Sequence, residues 1–499
     1  MDSPRMDARR STESDTGSSY AEHKAFNNAA EALANNKSSG EDVEEGAALE
    51  QDPEEELPPE LEATGAGLER TTTGFLSPRI KDLRKKLAVE FFTNHAVLAI
   101  LMLGVFSLYW GALYNRSHYY YKVNILAVIQ DDGVLGDPIP QLVEQASGTW
   151  HIYNSSHFQE RFKVSESEID SHITKLVHDQ HYWMSLNVKP NTTNALLSSL
   201  EDSDAQPFNS SQYFETVYES GRDPQNMHSS ILPLMTAVEE LYQYYYSTTL
   251  LPNILSRLSQ SISNAPSANL AQAGVITFNQ VDHRPFTDFT LLGPLQVGLI
   301  YTIMFTFFQL LLFSPMHVLF AQKLNKTHVL LYRYLIAFIN YFILALFFCL
   351  VSLAFQVDFS KAFGRSGFVV AWMSSWLYMT AVGGANENML SLLVAYAPRF
   401  PGFWMVFWVV MNISPTFFPM DLTADFYRYG YFMPVFNGVA IFRVIFLDVY
   451  PGNLGRNYGI LCAWVVVNMS LFPFVMKLFV ARKKKDALKA AAHNAEKTK

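Results

Sequence analysis

Residues 91–113, FFTNHAVLAILMLGVFSLYWGAL, run for 23 positions without a charge. At about 1.5 Å rise per residue, a helix of this length crosses a hydrocarbon core of about 30 Å. Lipid offers no hydrogen-bond partners to the backbone, so a run of this kind must satisfy its own amides and carbonyls, which means a helix. Five more apolar segments follow at 291–313, 329–355, 367–384, 389–413 and 459–480. The tetrapeptide ANEN at 385–388 is read as a tight turn between the fourth and fifth spans. The sequence therefore predicts a polytopic α-helical membrane protein with six transmembrane helices. One span comes first and five come later, on either side of a long polar insert.

The flanking charges orient this array. RIKDLRKK at 79–86 holds five basic residues in eight, whereas Arg116 and Lys122 alone lie close on the other side of the first span. The positive-inside bias places the N-terminus in the cytoplasm, and six spans return ARKKKDALK at the other end to the same side. The first span lies too far into the chain for a secretory signal and reads as a signal-anchor. Residues 1–78 form an acidic tail, with patches such as GEDVEEGAALEQDPEEELPPELE. That composition buries too little apolar surface to offset chain entropy and predicts disorder. Most of the formal net charge of −9 comes from this tail, so it gives no reason to expect nucleic acid as a partner.

The insert, 114–288, has the size of a domain. KVNILAVIQ and HYWMSLNVKP read as strands, HFQERFKVSESEIDSHITKLVHD as a helix, and ILPLMTAVEELYQYYYSTTLLPNILSRLSQSIS as one long helix or two broken near Pro252. The expectation is an extracellular α+β domain. Asn-X-Ser/Thr acceptors at Asn115, Asn154, Asn191 and Asn209 fall in this one segment and agree with an external, glycosylated location. Cys349 and Cys462 both lie in apolar runs, where they read as packing residues and cannot staple this domain. The remaining divisions are a basic juxtamembrane segment with the first span at 79–113, a membrane domain at 289–480 and a basic cytoplasmic tail at 481–499.

Chemical motifs are sparse. The chain has no Gly-Lys pair, hence no P-loop, and no HExxH, CxxC or G-x-S-x-G. No catalytic residue, no cofactor and no metal site is expected, and the protein is not read as an enzyme. Among thirteen histidines, His172, His178 and His181 fall close together, but no carboxylate or cysteine completes a familiar ligand spacing. Charges at membrane depth are the stronger candidates, because they are costly there. Glu387 lies in the ANEN segment, Arg399 between Pro398 and Pro401 where helix is disfavoured, and Arg443 inside VAIFRVIF. Each reads either as structural or as part of a membrane path. Arg443 is expected to snorkel or to pair with Asp421, Asp425 or Asp448.

The oddest stretch is SPTFFPMDLTADFYRYGYFMPVFNGVAIFRVIFL at 414–447, rich in aromatics yet holding three prolines, two aspartates and two arginines. Its helical part begins at Pro434, a good first-turn residue, and is too short and interrupted to cross a bilayer. It predicts a re-entrant or interfacial element near 414–450. This stretch, with KVNILAVIQDDG and HDQHYWMSLNVKPNTTNALLSSL, resembles the fungal nitrosoguanidine-resistance proteins. These are similar to the YhgE/Pip type and share the ABC-2 type permease architecture. The resemblance spans roughly 85–485, with Pro419, Pro434 and Arg443 at positions where that pattern has a Pro, a Pro and an Arg. Ser414-Pro415 departs from the Gly pair frequent in bacterial relatives.

The resemblance implies a plasma-membrane protein of drug or stress tolerance and supplies no catalytic residue. Two functions follow as expectations. One is a permease-like protein that moves, or helps to move, lipophilic compounds or lipids, energised by a partner ATPase in trans or by an ion gradient. The other is a non-transporting scaffold or regulator with an external binding domain. Membrane lipids, another membrane protein and a second copy of the chain are the partners in view.

Overall fold

The computed structural model describes residues 78, 81–202, 204–258 and 266–497. The acidic tail expected over 1–78 lies, Pro78 apart, outside the described residues. One compact unit spans Lys85–Lys499 and holds both an α+β domain and a helix bundle. Helix α1 (Lys81–Leu113) enters it first. Its apolar side chains are largely exposed, with Val105 and Ala112 as its buried residues, as suits a helix whose solvent is lipid.

The insert forms a five-stranded sheet in the order β2-β1-β3-β4-β5. Strands β1 (Asn124–Ile129), β2 (Thr149–Asn154) and β3 (Met184–Val188) are parallel, with β1 in the middle. Strand β4 (Phe214–Tyr218) runs antiparallel to β3, and β5 (Asn279–Asp282) runs parallel to β4. Both faces are covered, which is why NILAVI reads as a continuous apolar run. Leu126 and Val128 pack with Ile169, Ile173 and Leu176 of helix α2 (Ile169–His178), while Ile125 and Ile129 share the opposite core with Met235, Val238 and Tyr242.

The expected helix over 157–179 is broken in two. Lys163 adopts a left-handed backbone at φ 55°, and Ser165 with Glu168 forms a capping box that starts a new turn. Conversely, the chain is not broken at Pro252. Helix α3 (Leu232–Tyr245) passes through a π turn at Tyr246–Leu250 into Leu251–Arg257, and Pro252 sits in the first turn after the wider coil.

Five helices among the described residues are long and apolar enough to cross a membrane: Lys81–Leu113, Phe289–Leu312, Lys326–Ala354, Ser360–Tyr396 and Leu454–Lys489. The bundle is built from α4 (Gly298–Leu312), α5 (Lys326–Ala354), α6 (Gly367–Tyr396), α7 (Pro401–Ile413), α8 (Pro434–Leu447) and α9 (Leu454–Lys497). Leu299, Tyr341, Tyr378, Val439, Ile445 and Leu461 meet in its core.

Two boundaries differ from those read in the sequence. ANEN is not a turn. Helix α6 runs through 385–388 without interruption, because the polar side chains there bond to neighbouring helices instead of to the local backbone. The break comes at 397–400, where Pro398 and Pro401 forbid continuation, and the remaining α7 has 13 residues, about 20 Å. At the other end α9 continues as helix to Lys497, through the basic residues expected to form a separate tail.

The segment 414–447 leaves α7, crosses the domain-facing end of the bundle in short 3₁₀ turns and re-enters as α8. The turn Asp425–Phe432 and α8 meet at 72°. Val435 at the start of α8 donates its amide to Asn412 Oδ1 (3.3 Å) within the bundle. Gly438 packs on the Tyr378 ring so closely that a Cβ would lie 2.8 Å from it. The other end of α8 reaches the α+β domain.

Candidate functional site

Inside the bundle, Arg333 on α5 and Glu387 on α6 form an ion pair. Nη2 donates to Glu387 Oε1 at 2.6 Å and Nε donates to the same oxygen at 2.9 Å. The guanidinium lies 5.5 Å from the Phe472 ring centre. Around this pair the polar residues of α6 are shared out among its neighbours. Asn386 donates to Ile303 O (3.1 Å) and Thr306 Oγ1 (3.0 Å) on α4 and accepts from Trp404 Nε1 (3.0 Å) on α7. Asn388 donates to Asn468 O on α9, and Asn468 returns a bond to Ala381 O. Gly383 and Gly384 make this possible. Any Cβ at 383 would run into the Tyr341 ring, and one at 384 would lie 2.9 Å from Asn468.

Tyr341, Thr380, Glu387, Asn388 and Asn468 line a cavity of about 30 Å³, room enough for a water molecule. Tyr341 Oη and Asn388 Oδ1 find no protein partner among the described residues. Charged residues within apolar helices are costly and mark functional sites by default. Here the carboxylate is held by one cation, in a cavity whose other walls include Ala337, Phe338, Val465 and Phe472 as well as Tyr341, Asn388 and Asn468.

A second feature lies on the flank of the bundle. Between α4, the π turn Gly293–Val297 that precedes it, and α5, an apolar groove encloses about 700 Å³. Tyr301, Phe305, Phe347, Phe348 and Val351 form its walls, with Met379 of α6 at the back. Several of these walls are open to the outside of the bundle, Phe347 and Val351 each at 59% exposure. In a bilayer that opening faces lipid. Thr302 and Ser352 are polar but commit their hydroxyls to the helix carbonyls of Leu299 and Phe348, so the groove presents an apolar lining.

The third feature is the junction of 414–448 with the α+β domain. Asp421 Oδ2 accepts from Trp183 Nε1 (2.8 Å), and the Arg222 guanidinium stacks on that indole at 3.6 Å. Loss of water around Arg222 pulls its guanidinium down to about 10, an effect that Asp421, Glu219 and Asp223 oppose. Arg443 donates to Arg222 O (2.6 Å) and lies 3.9 Å from Asp223. It therefore pairs with none of the three aspartates expected. Asp448 takes Arg284 (3.0 Å), and Asp425 takes Lys122 (2.9 Å) and Arg428 (3.1 Å), chiefly Lys122 holding its carboxyl below the usual range. Asn226 joins Arg116 to Phe417 O, and Tyr427 Oη donates to Leu108 O of α1.

Pro419 precedes the short turn Met420–Leu422, and Pro434 opens α8. Arg399 is exposed in the break after α6. The acceptors Asn115, Asn154, Asn191 and Asn209 are all exposed on the insert.

The candidates thus fall into separate places: Glu387 in the bundle, Asp421 and Arg443 at the junction, and Asp425 and Arg399 at the surface. Sequence reasoning missed Arg333, although it interrupts VLLYRYLIAF by the same criterion that singled out Glu387. Trp183, Arg222 and Asp223 carry no local signal, since their partners lie in a distant part of the chain.

Comparison with known proteins agrees with a membrane assignment. A family model described as a protein of unknown function (DUF3533) matches residues 94–470. An uncharacterized endoplasmic reticulum membrane protein of Saccharomyces cerevisiae is 42% identical over 434 residues, covering 84% of this chain and 85% of that protein. No solved structure matches the chain.

Proposed function

The chain belongs to the DUF3533 family of proteins of unknown function, and we propose that it binds lipophilic molecules or lipid acyl chains from the bilayer and helps to move them across the membrane. The observation that carries this reading is the apolar groove of about 700 Å³ opening on the flank of the bundle. Pockets of this size suit lipid tails or drug-sized apolar molecules. The polar cluster around Arg333 and Glu387 lies across the same bundle and supplies a place where a polar head or a proton could be held.

In this reading α7, too short alone, crosses together with the segment that follows it. That gives six crossings, puts the α+β domain outside the cytoplasm and leaves α8 as a re-entrant element. The resemblance to ABC-2 type permeases points the same way, with a partner ATPase or an ion gradient as the energy source. The name of the yeast relative favours the endoplasmic reticulum over the plasma membrane, with the domain in the lumen.

The test is reconstitution of the full chain into vesicles, with and without an ion gradient, following transbilayer movement of a fluorescent phospholipid and of an apolar dye. Filling the groove by Val351→Trp should abolish movement while leaving the protein folded. Equal rates in protein-free vesicles, or a rate indifferent to the Trp, would sink the proposal. A second reading, a scaffold that transports nothing, rests on one observation: Asp421, Arg443 and Asp448 are all committed to the α+β domain instead of facing a path. Normal tolerance to lipophilic drugs in cells carrying Val351→Trp, with tolerance lost in junction variants, would favour it.

A further inference from the structure

At the end of the sheet that faces the bundle, three side chains from distant positions converge. His178 ends α2, Glu219 follows β4 and His283 follows β5. His178 Nδ1 lies 2.8 Å from Glu219 Oε1, and one ligand atom from each of the three residues lies within 4.8 Å of the others. Glu219 is fully buried, and its second oxygen, Oε2, has no hydrogen-bond partner among the described residues. A buried carboxylate oxygen without a partner has given up its hydration for nothing in return, so its retention calls for an explanation.

We propose that His178, Glu219 and His283 form a binding site for a divalent transition metal of the zinc type. Two imidazoles and one carboxylate are the ligand set such ions take, with a fourth position open. Ligand bonds of about 2.0–2.1 Å in a tetrahedron put ligand atoms about 3.3 Å apart, so the cluster needs to rearrange by roughly 1 Å. The two histidines are half-buried, which leaves the open position reachable from one side.

The neighbouring charges are compatible. Arg284 Nη1 now contacts His283 Nε2 at 3.2 Å, but the same guanidinium already bonds Asp448 O (2.8 Å) and Asp448 Oδ2 (3.0 Å). A metal on His283 would leave it on those two acceptors. Arg222 is engaged by Trp183, and Asp282 by Ser220, so neither needs to move. The metal would tie α2, β4 and β5 together two residues from Gly221, which sits against Leu447 and Val449 at the end of α8.

The site was invisible in the sequence because the carboxylate missing beside His172, His178 and His181 lies 41 residues beyond His178, just after β4. The experiment uses the full chain, free of any polyhistidine tag, purified in detergent and stripped with chelator. Calorimetric titration with Zn²⁺ should show one saturable site, and Co²⁺ should give the intense visible absorption of a tetrahedral centre. His178→Asn and His283→Asn should each weaken Zn²⁺ binding by more than the 10–100-fold typical of outer-shell changes, and should bleach the Co²⁺ spectrum. Glu219→Gln should do the same. Should that buried substitution fail to fold, the two histidine variants decide alone. Uptake that is not saturable, or a site that survives the double histidine variant, overturns the assignment and leaves His178 and Glu219 as a hydrogen-bonded pair only.

Discussion

Arg333 and Glu387 hold each other in surroundings where neither charge is tolerable alone. Removing one partner of a buried pair leaves an uncompensated ion, at a typical cost of about 3–5 kcal/mol, whereas replacing both by apolar residues of similar volume is often close to neutral. Glu387→Gln and Arg333→Met singly should therefore lower the thermal unfolding temperature sharply, and Arg333→Met with Glu387→Met should recover most of the loss. If the double variant is stable yet fails in the vesicle assay, the pair serves transport and not folding. Arg399 gives the contrast. It is exposed in the break between helices, so Arg399→Ala should stay within about 0.5 kcal/mol of the parent in the same measurement. Arg443 lies between these limits. Its bond to Arg222 O is charge-assisted, and Arg443→Ala is expected to destabilise by about 1.5–3 kcal/mol, read from chemical or thermal unfolding.

At the scale of elements, α8 is the piece whose position the remainder depends on. Eleven of its residues, among them Val435, Ile441 and Ile445, are buried, so it is a core helix rather than a surface one. Gly438 allows that depth by letting the Tyr378 ring lie against the backbone. Gly438→Leu has no room there, and overpacking of this kind costs about 1–3 kcal/mol or displaces the element. Limited proteolysis within 414–433 should become faster in this variant. Unchanged cleavage would mean that α8 docks by its ends alone. The asparagines of α6 work at the same scale. Because Asn386 and Asn388 bond to α4, α7 and α9 rather than to their own turn, they bind helices to one another and let α6 continue.

For the whole molecule, the α+β domain and the bundle form one body through the junction at Trp183, Arg222, Asp421, Arg443 and Asp448. Trp183→Phe removes the indole donor to Asp421 but keeps an aromatic face for Arg222. Hydrogen exchange should then quicken around 419–423 and at the end of α8, with the sheet core unchanged. Faster exchange throughout the sheet would instead mean that Trp183 serves the domain's own core, to which it also belongs.

The amino-acid sequence by itself determined the class of molecule: apolar runs of bilayer length, a domain-sized polar insert with strands at 122–130 and 181–190, and a proline-aromatic segment that is neither span nor loop. These are local properties, set by the period and length of apolar residues and by the limits proline places on φ. The tertiary structure decided which polar groups meet. ANEN is locally good turn sequence, and only the donors and acceptors offered by α4, α7 and α9 turn it into helix. Arg333 finds Glu387 across 54 positions and Arg443 finds Arg222 across 221. No local pattern encodes such distances, because the desolvation that makes each pairing obligatory exists only once the helices have packed.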